Sequence, residues 1–296
     1  MTGIRGFYLA VLLCAPAGLL QADDAATLRA SHLALAAQLA HNQFQRPLFL
    51  ESSQTDNLLQ GDIYAEIAQP FSQVGPALQG GEQWCDLLIL HLNVKACRAA
   101  SVAGNAMLQV HVGRKFDQPL VDAYPFAFSY RVEMDEPDYL RVGLRALQGP
   151  LGTSDYRILL EVLALDEQRS FLHLSYAYTY GVAASLAMQG YLATSGRDKV
   201  GFSIIGQTDA GQPLYQGDMR GVVERNTMRY YLAVDAYLGA LALPVGARLD
   251  KRLNDWHSAV ERYPRQLHEL ERAAYLSMKH AEVQRQQALA QGAAVQ

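Results

Sequence analysis

Gly61-Asp62-Ile63-Tyr64-Ala65-Glu66-Ile67 leads, after two residues, into Pro70-Phe71-Ser72-Gln73-Val74-Gly75-Pro76-Ala77-Leu78 and then Gly80-Gly81-Glu82-Gln83-Trp84-Cys85-Asp86-Leu87-Leu88. The first segment reads as a strand. Pro70 to Leu90 reads as two short helices: Phe71, Val74 and Leu78 share one face, Gly80-Gly81 makes the break, and Trp84, Leu87, Leu88 and His91 recur at helical spacing. A strand feeding two short helices sets up whatever sheet comes next.

That sheet is legible downstream. Met107–Val112, Tyr124–Met134, Tyr139–Gln148, Tyr156–Leu165 and Phe171–Tyr180 read as strands, with turn signals at Asp135-Glu136-Pro137-Asp138 and Gly149-Pro150-Leu151-Gly152. Such spacings favour an antiparallel meander over alternating strand and helix. Phe126, Phe128, Tyr130 and Val132 alternate with Ser129, Arg131 and Glu133, and Leu140, Val142 and Leu144 alternate with Arg141 and Arg145, so one face is expected to be wet. In the last strand Leu172, Leu174, Tyr176, Tyr178 and Tyr180 form one row, whose tyrosines suit an amphipathic pocket mouth as well as a core.

Val182–Ala193 follows as a short helix, Lys199–Gly206 as a final strand and Asp209–Gln216 as a polar loop. A long helix is expected from Arg220 to about Leu243, carrying Val223, Met228, Tyr231, Leu232, Val234 and Leu238 until Pro244-Val245-Gly246 stops it. The fold class is therefore α+β: a curved antiparallel sheet gripping a long C-terminal helix. Upstream, Asp24–His41 reads as an N-terminal helix and Leu48–Ser53 pairs with Leu58–Gln69 as a hairpin. Leu249 to about Ala290 reads as a charged helical tail with a break at Pro264. In that tail Leu267, Leu270, Ala274, Met278 and Ala281 form a narrow apolar stripe, fit to lie on its own domain or on a partner. The organisation is residues 1–22, a leader; 23–47, a helical segment; 48–245, the main domain; 246–296, the tail.

The leader reading rests on Arg5 as the single charge, the apolar run Phe7–Leu13, and Leu20-Gln21-Ala22 ahead of Asp23-Asp24. Pro16 and Gly18 interrupt a stretch too short for the ~20 residues of a membrane span. Cleavage after Ala22 and a periplasmic or secreted location are expected; Cys14, preceded by Leu13, argues against a lipoprotein cut. Cys85 and Cys97 then remain as an even pair, either bridged or as two buried thiols. On one continuous helix they would stand about 18 Å apart, so a bridge needs the chain to turn near His91–Asn93. The net charge of −4 becomes −5 once Arg5 leaves with residues 1–22, which disfavours nucleic acid as a partner.

Catalytic patterns fail on spacing. The chain has no Gly-x-Ser-x-Gly, His-Glu-x-x-His, Cys-x-x-Cys or phosphate-binding glycine loop, and no two of its eight histidines stand at the spacing of a helical metal site, so neither cofactor nor metal is implied. His173, beside Ser175 and across from Glu161, leaves two roles open, structural or catalytic, with the structural role the commoner for a lone strand histidine. Arg141 and Arg145 read as a solvated outer face paired with Glu133 and Glu161, or as a grip for an anionic head if the face were reversed.

The pattern Gly61–Ile67, Pro70-Phe71-x-x-Val74 and Ala77-Leu78-x-x-x-x-x-Trp84-Cys85-Asp86-x-Leu88, closed by the Arg220–Leu243 helix, resembles the START-like, helix-grip superfamily over about residues 60–243. That resemblance implies a cavity for a hydrophobic or amphipathic ligand between sheet and last helix. The superfamily includes lipid carriers, small-molecule binders and polyketide cyclases, and supplies no universal catalytic residue. The ligand-facing residues expected on this basis are Trp84, Phe128, Tyr130, Val142, Leu160, Leu174, Tyr176, Tyr178, Tyr231, Val234 and Leu238. The function expected is an exported binder or carrier of a lipid-like molecule; a cavity enzyme of cyclase or hydrolase type, or an interaction module using the tail against a protein or membrane surface, are the alternatives.

Overall fold

The computed structural model describes residues 24–194 and 196–293; the expected leader and Cys14 lie outside them. Two helices open the described chain, α1 (Asp24–Ala34) and α2 (Ala36–Ala40), followed by the hairpin β1 (Leu48–Thr55) and β2 (Leu58–Ile67). Next come α3 (Phe71–Leu78), α4 (Gly81–Leu88), β3 (Val94–Val102), β4 (Asn105–Val112), β5 (Tyr124–Asp135), β6 (Tyr139–Gln148), β7 (Thr153–Ala164) and β8 (Ser170–Tyr180). After α5 (Val182–Ala193) and the small pair β9 (Ile204–Gln207) and β10 (Pro213–Tyr215), the long helix α6 (Asp218–Gly239) leads to α7 (Val245–Val260), α8 (Pro264–Leu267) and α9 (Arg272–Ala293). The first eight strands form one antiparallel sheet in the order β1-β2-β8-β7-β6-β5-β4-β3. After α3 and α4 the chain returns as β3 at the far edge, and the meander winds back until β8 meets β2, the helix-grip arrangement.

Side-chain alternation decides what each face meets. Leu48, Leu59, Ile63, Leu140, Val142, Leu144, Leu160 and Leu174 are buried on the concave face in one continuous core. Three helices share that face: α6 lies over β1, β2 and β8, α3 over β6 and β7, and α4 over β3 and β4. The long helix is therefore not the sole cover; Val142 and Leu160, expected beneath α6, lie on strands that α3 covers. Gly61 lets α6 approach, because a side chain there would run into Thr227. α7 packs on the other side of α6, which buries α6 nearly all round and explains why its sequence lacks a clean apolar stripe.

The outer face is wet only in part. α1 and α2 cover it near β7, where Ala25, Leu28 and Leu39 pack with Tyr139, Leu163 and Phe171 in a second core. Arg131 and Arg145 are exposed as expected, whereas Glu161, expected to face water, is buried under this cover.

Other differences have local causes. The expected helix over 24–41 breaks at Leu35. Strand β3 carries no strand signal in the sequence, because Lys95, Arg98 and four alanines or serines among its nine residues give it little strand character. It is nonetheless joined to β4 by the two-residue turn Ala103-Gly104, both at positive φ (50° and 81°), the geometry that suits a tight hairpin. The expected final strand over 199–206 does not join the sheet: Ile204–Gln207 pairs with Pro213–Tyr215, inside the expected polar loop. The tail packs on its own domain, with Tyr275, Met278 and Val283 buried; Ala274, placed in the stripe by the sequence, is exposed, one position out of register. Among the described residues no helix is long and apolar enough to cross a membrane.

Cys85 and Cys97 are joined, their Cα atoms 5.1 Å apart. The chain turns back where expected: the amides of Leu90 and His91 bond to the carbonyls of Leu87 and Leu88 before β3 begins. In a chain-entropy account, closing so short a loop contributes about 3 kcal/mol.

Candidate functional site

The sheet's inner face opens into a cleft of about 280 Å³ at the end of β7 and β8, between those strands, α5 and the start of α6. Its wall is aromatic for a local reason. Asp155 takes a left-handed φ of 49° where the register between β7 and β8 slips by one residue. Beyond this bulge Tyr156 points inward, its ring stacked on Tyr178 at 5.2 Å and edge-on to Phe126 at 4.8 Å. Tyr176 completes the wall 5.6 Å from Tyr178, then passes contact on to Tyr230 at 5.2 Å, which stacks on His91 at 4.9 Å. Burial raises the pKa of Tyr156, Tyr176 and Tyr178, so their hydroxyls stay neutral. The Tyr156 hydroxyl donates to Thr153 Oγ1 at 2.8 Å, and Thr153 in turn to the Pro150 carbonyl at 2.6 Å.

The opposite wall is α5, which contributes Ala184, Ala187, Met188 and Tyr191. This helix carries no charged residue and buries only Ala184, while Val182 and Leu186 stand exposed beside Leu151 of the rim. Met219 and Asn226 of α6 close the cleft from below.

Of the eleven residues expected to face a ligand, Tyr176 and Tyr178 line this cleft. Phe128 lies behind it, edge-on to Tyr156 at 6.5 Å. Trp84 and Tyr130 are elsewhere on the concave face: the Trp84 indole donates to the Leu78 carbonyl at 2.8 Å, and the Tyr130 hydroxyl donates to the Gln79 carbonyl. Val142, Leu160, Leu174, Val234 and Leu238 are buried in the packed core. Tyr231 turns away, with the Arg46 guanidinium 5.2 Å from its ring centre. Sequence reading missed Tyr156, Met188, Tyr191 and Asn226. For Tyr156 the signal was its even-numbered parity with Ile158 and Leu160; for α5 it was a twelve-residue helix without charge.

The polar cluster anticipated around His173 exists on the outer face. His173 Nε2 is 2.9 Å from Asp62 and Nδ1 2.7 Å from Glu161, with the ring stacked flat on Tyr64 at 4.3 Å. The Tyr139 hydroxyl donates to Glu161 at 2.5 Å, and Arg141 bridges Glu133 and Asp24. Burial alone would lower the His173 pKa, but the hydrogen bonds and charges of Asp62 and Glu161 outweigh it and push the imidazole up to about 9. Both ring nitrogens are occupied, so this histidine is a charged clamp joining β2, β8 and β7 and has no lone pair with which to accept a proton. Among the described residues no group of three or more His, Cys, Asp or Glu side chains is arranged to hold a metal ion.

No family model matches the chain, and no curated protein matches it in sequence. Solved structures resemble it distantly. A START superfamily protein from Mycobacterium smegmatis is 12% identical at a TM-score of 0.33, over 47% of this chain and 88% of its own. The Zhui aromatase/cyclase from Streptomyces sp. R1128 is 14% identical at 0.31, over 69% and 95%. A truncated norcoclaurine synthase from Thalictrum flavum is 14% identical at 0.32, over 49% and 90%. The helix-grip assignment is carried by this chain's own strand order, with β2 beside β8 and α6 across them.

Proposed function

We propose that the protein binds or carries a hydrophobic or amphipathic small molecule in the cleft between the β7–β8 end of the sheet and α5. The supporting observation is the cleft's lining: four tyrosines of the sheet face Met188 and two alanines of α5. The cleft is small for a whole lipid, so a ligand there extends past the exposed rim of Leu151, Val182 and Leu186.

The residues that favoured chemistry, His173, Glu161 and Arg141, sit together on the other face of the sheet, and His173 is held on both sides. That placement favours binding over a cyclase or hydrolase built on them. The tail's buried residues face its own domain, which leaves the interaction-module reading without its apolar stripe. A location outside the cytoplasm fits the features of residues 1–22 and is supported by the Cys85–Cys97 bond.

Native mass spectrometry of the chain isolated without detergent tests the reading. A retained small-molecule mass, displaced by a fluorescent fatty-acid analogue, is the expected result. A bare protein that also takes up none of the analogue would refute it.

A further inference from the structure

The Tyr191 end of the cleft adjoins side chains that shape and hydrophobicity do not explain. Arg225 and Arg229, one turn apart on α6, are only 2% and 3% exposed. Arg225 lies within electrostatic reach of Tyr191, and the Lys115 ammonium lies 5.2 Å from the centre of the Tyr191 ring. Arg229 donates to Asn226 Oδ1 at 3.3 Å, and Asn226 lines the cleft. Lys199 donates to the His268 carbonyl close by, and its ammonium feels the charges of Glu269, Arg229 and Lys115.

These cations are short of anions. Glu269 serves both Arg229, at 3.0 Å, and Lys115, at 2.6 Å. Glu224, next to Arg225 in the chain, is committed elsewhere: its carboxylate accepts from the Phe202 and Ser203 amides at 2.5 and 2.9 Å and from the Ser52 hydroxyl at 2.6 Å. Nη1 of Arg225 and Nε of Arg229 are shut off from water with no partner. A buried guanidinium N–H without an acceptor is costly, and an uncompensated buried charge more so. His91, next along the aromatic column, is kept neutral by burial and by the same positive surroundings.

We propose that the cleft takes an amphiphile with an anionic head, a carboxylate or a phosphate, whose chain lies against Tyr156, Tyr176 and Tyr178 and whose head is drawn to Arg225 at the Tyr191 end. This rests on the binding reading above and adds a charge to the ligand. A guanidinium with an unpartnered Nη1 can donate to either oxyanion, and Arg229, Lys115 and Lys199 add the field that favours an anion over a neutral head.

Calorimetric titration of the full chain with laurate, dodecyl phosphate and dodecanol tests it. At least one of the two anions is expected to bind about tenfold or more tightly than dodecanol, and the tighter of the two identifies the head. Arg225→Met should bring both anions down to the level of dodecanol and leave dodecanol unchanged. Should that variant fail to fold, Lys115→Met, at a partly exposed site, should weaken the anions several-fold, and raising the salt should weaken laurate but not dodecanol. Equal binding of laurate, dodecyl phosphate and dodecanol overturns the anionic head and leaves the binding reading standing. No binding of any of the three overturns both. Inorganic phosphate that binds alone as tightly as dodecyl phosphate overturns the amphiphile in favour of a free anion.

Discussion

His173 shows how one residue can tie an outer layer to a sheet. Its strand neighbours place Asp62 and Glu161 on either side of the ring, and the pair raises its pKa to about 9 against the effect of burial. A histidine whose folded pKa exceeds its unfolded value of about 6.5 stabilises fully below that value, and the contribution is lost as pH rises through about 9. The difference corresponds to about 3 kcal/mol. Asp62 and Glu161 are shifted down, since the bonds to His173 outweigh their burial; their contribution is lost as pH falls through their folded values. Chemical denaturation of the parent and of His173→Gln should therefore differ by about 3 kcal/mol near pH 6.5, with the gap narrowing by pH 10. Taking the difference between the two proteins removes other titrations, such as that of Lys279, from the comparison. A gap that is constant with pH would show that His173 is not the charged clamp described here.

At the scale of elements, two contacts decide where helices lie. Gly61 admits α6, and Gly61→Ala is expected to cost about 1 to 3 kcal/mol by forcing its methyl against Thr227. Thr227→Ala should recover part of that loss, so a double-mutant cycle by thermal unfolding checks the contact, with additivity as the result that denies it. The tail is held differently. Lys95 and Lys279, both buried, share Glu282 at 2.9 and 2.7 Å, and burial lowers Lys279 to about 8 despite that carboxylate. Glu282→Gln leaves two ammoniums without a counter-charge and should cost about 3 to 5 kcal/mol in urea unfolding. What the sequence showed and hid follows the same division. Strands with strict alternation, such as 124–134 and 171–180, and α5 at Val182–Ala193 were legible, because one wet face or flanking glycine marks them. Strand β3 and the hairpin β9–β10 were not, because the alanines and lysine of β3 derive their strand state from pairing with β4 and from the cover of α9. Lys279, a charge beside the tail's apolar stripe in the sequence, is interior because it satisfies Glu282 and the carbonyls of His91 and Val94.

Across the whole molecule, the additions outside the sheet and its gripping helix fill space. The α1–α2 segment dries part of the outer face, α7 packs along the back of α6, and α9 covers the β3 edge, while α5 stands off from the β7–β8 end and leaves the tyrosine-lined cleft there. In the sequence the tyrosine row suits a pocket mouth as well as a core, and nothing in it separates the two, since Leu174 and Tyr178 share one face and only the bulge at Asp155 and the placement of α5 divide core from cleft. That separation is testable by adding volume. A filled core resists an enlarged side chain at about 1 to 3 kcal/mol, whereas a cleft accepts it. Val234→Trp, at 1% exposure among tightly packed neighbours, should lower the melting temperature markedly. Ala187→Trp, on the cleft side of α5, should leave stability within about 0.5 kcal/mol of the parent and block uptake of a fluorescent fatty-acid analogue. If Ala187→Trp took up the analogue as the parent does, the ligand would have to lie elsewhere; if it unfolded as readily as Val234→Trp, the space beside Tyr178 would be packed interior and not a binding cleft.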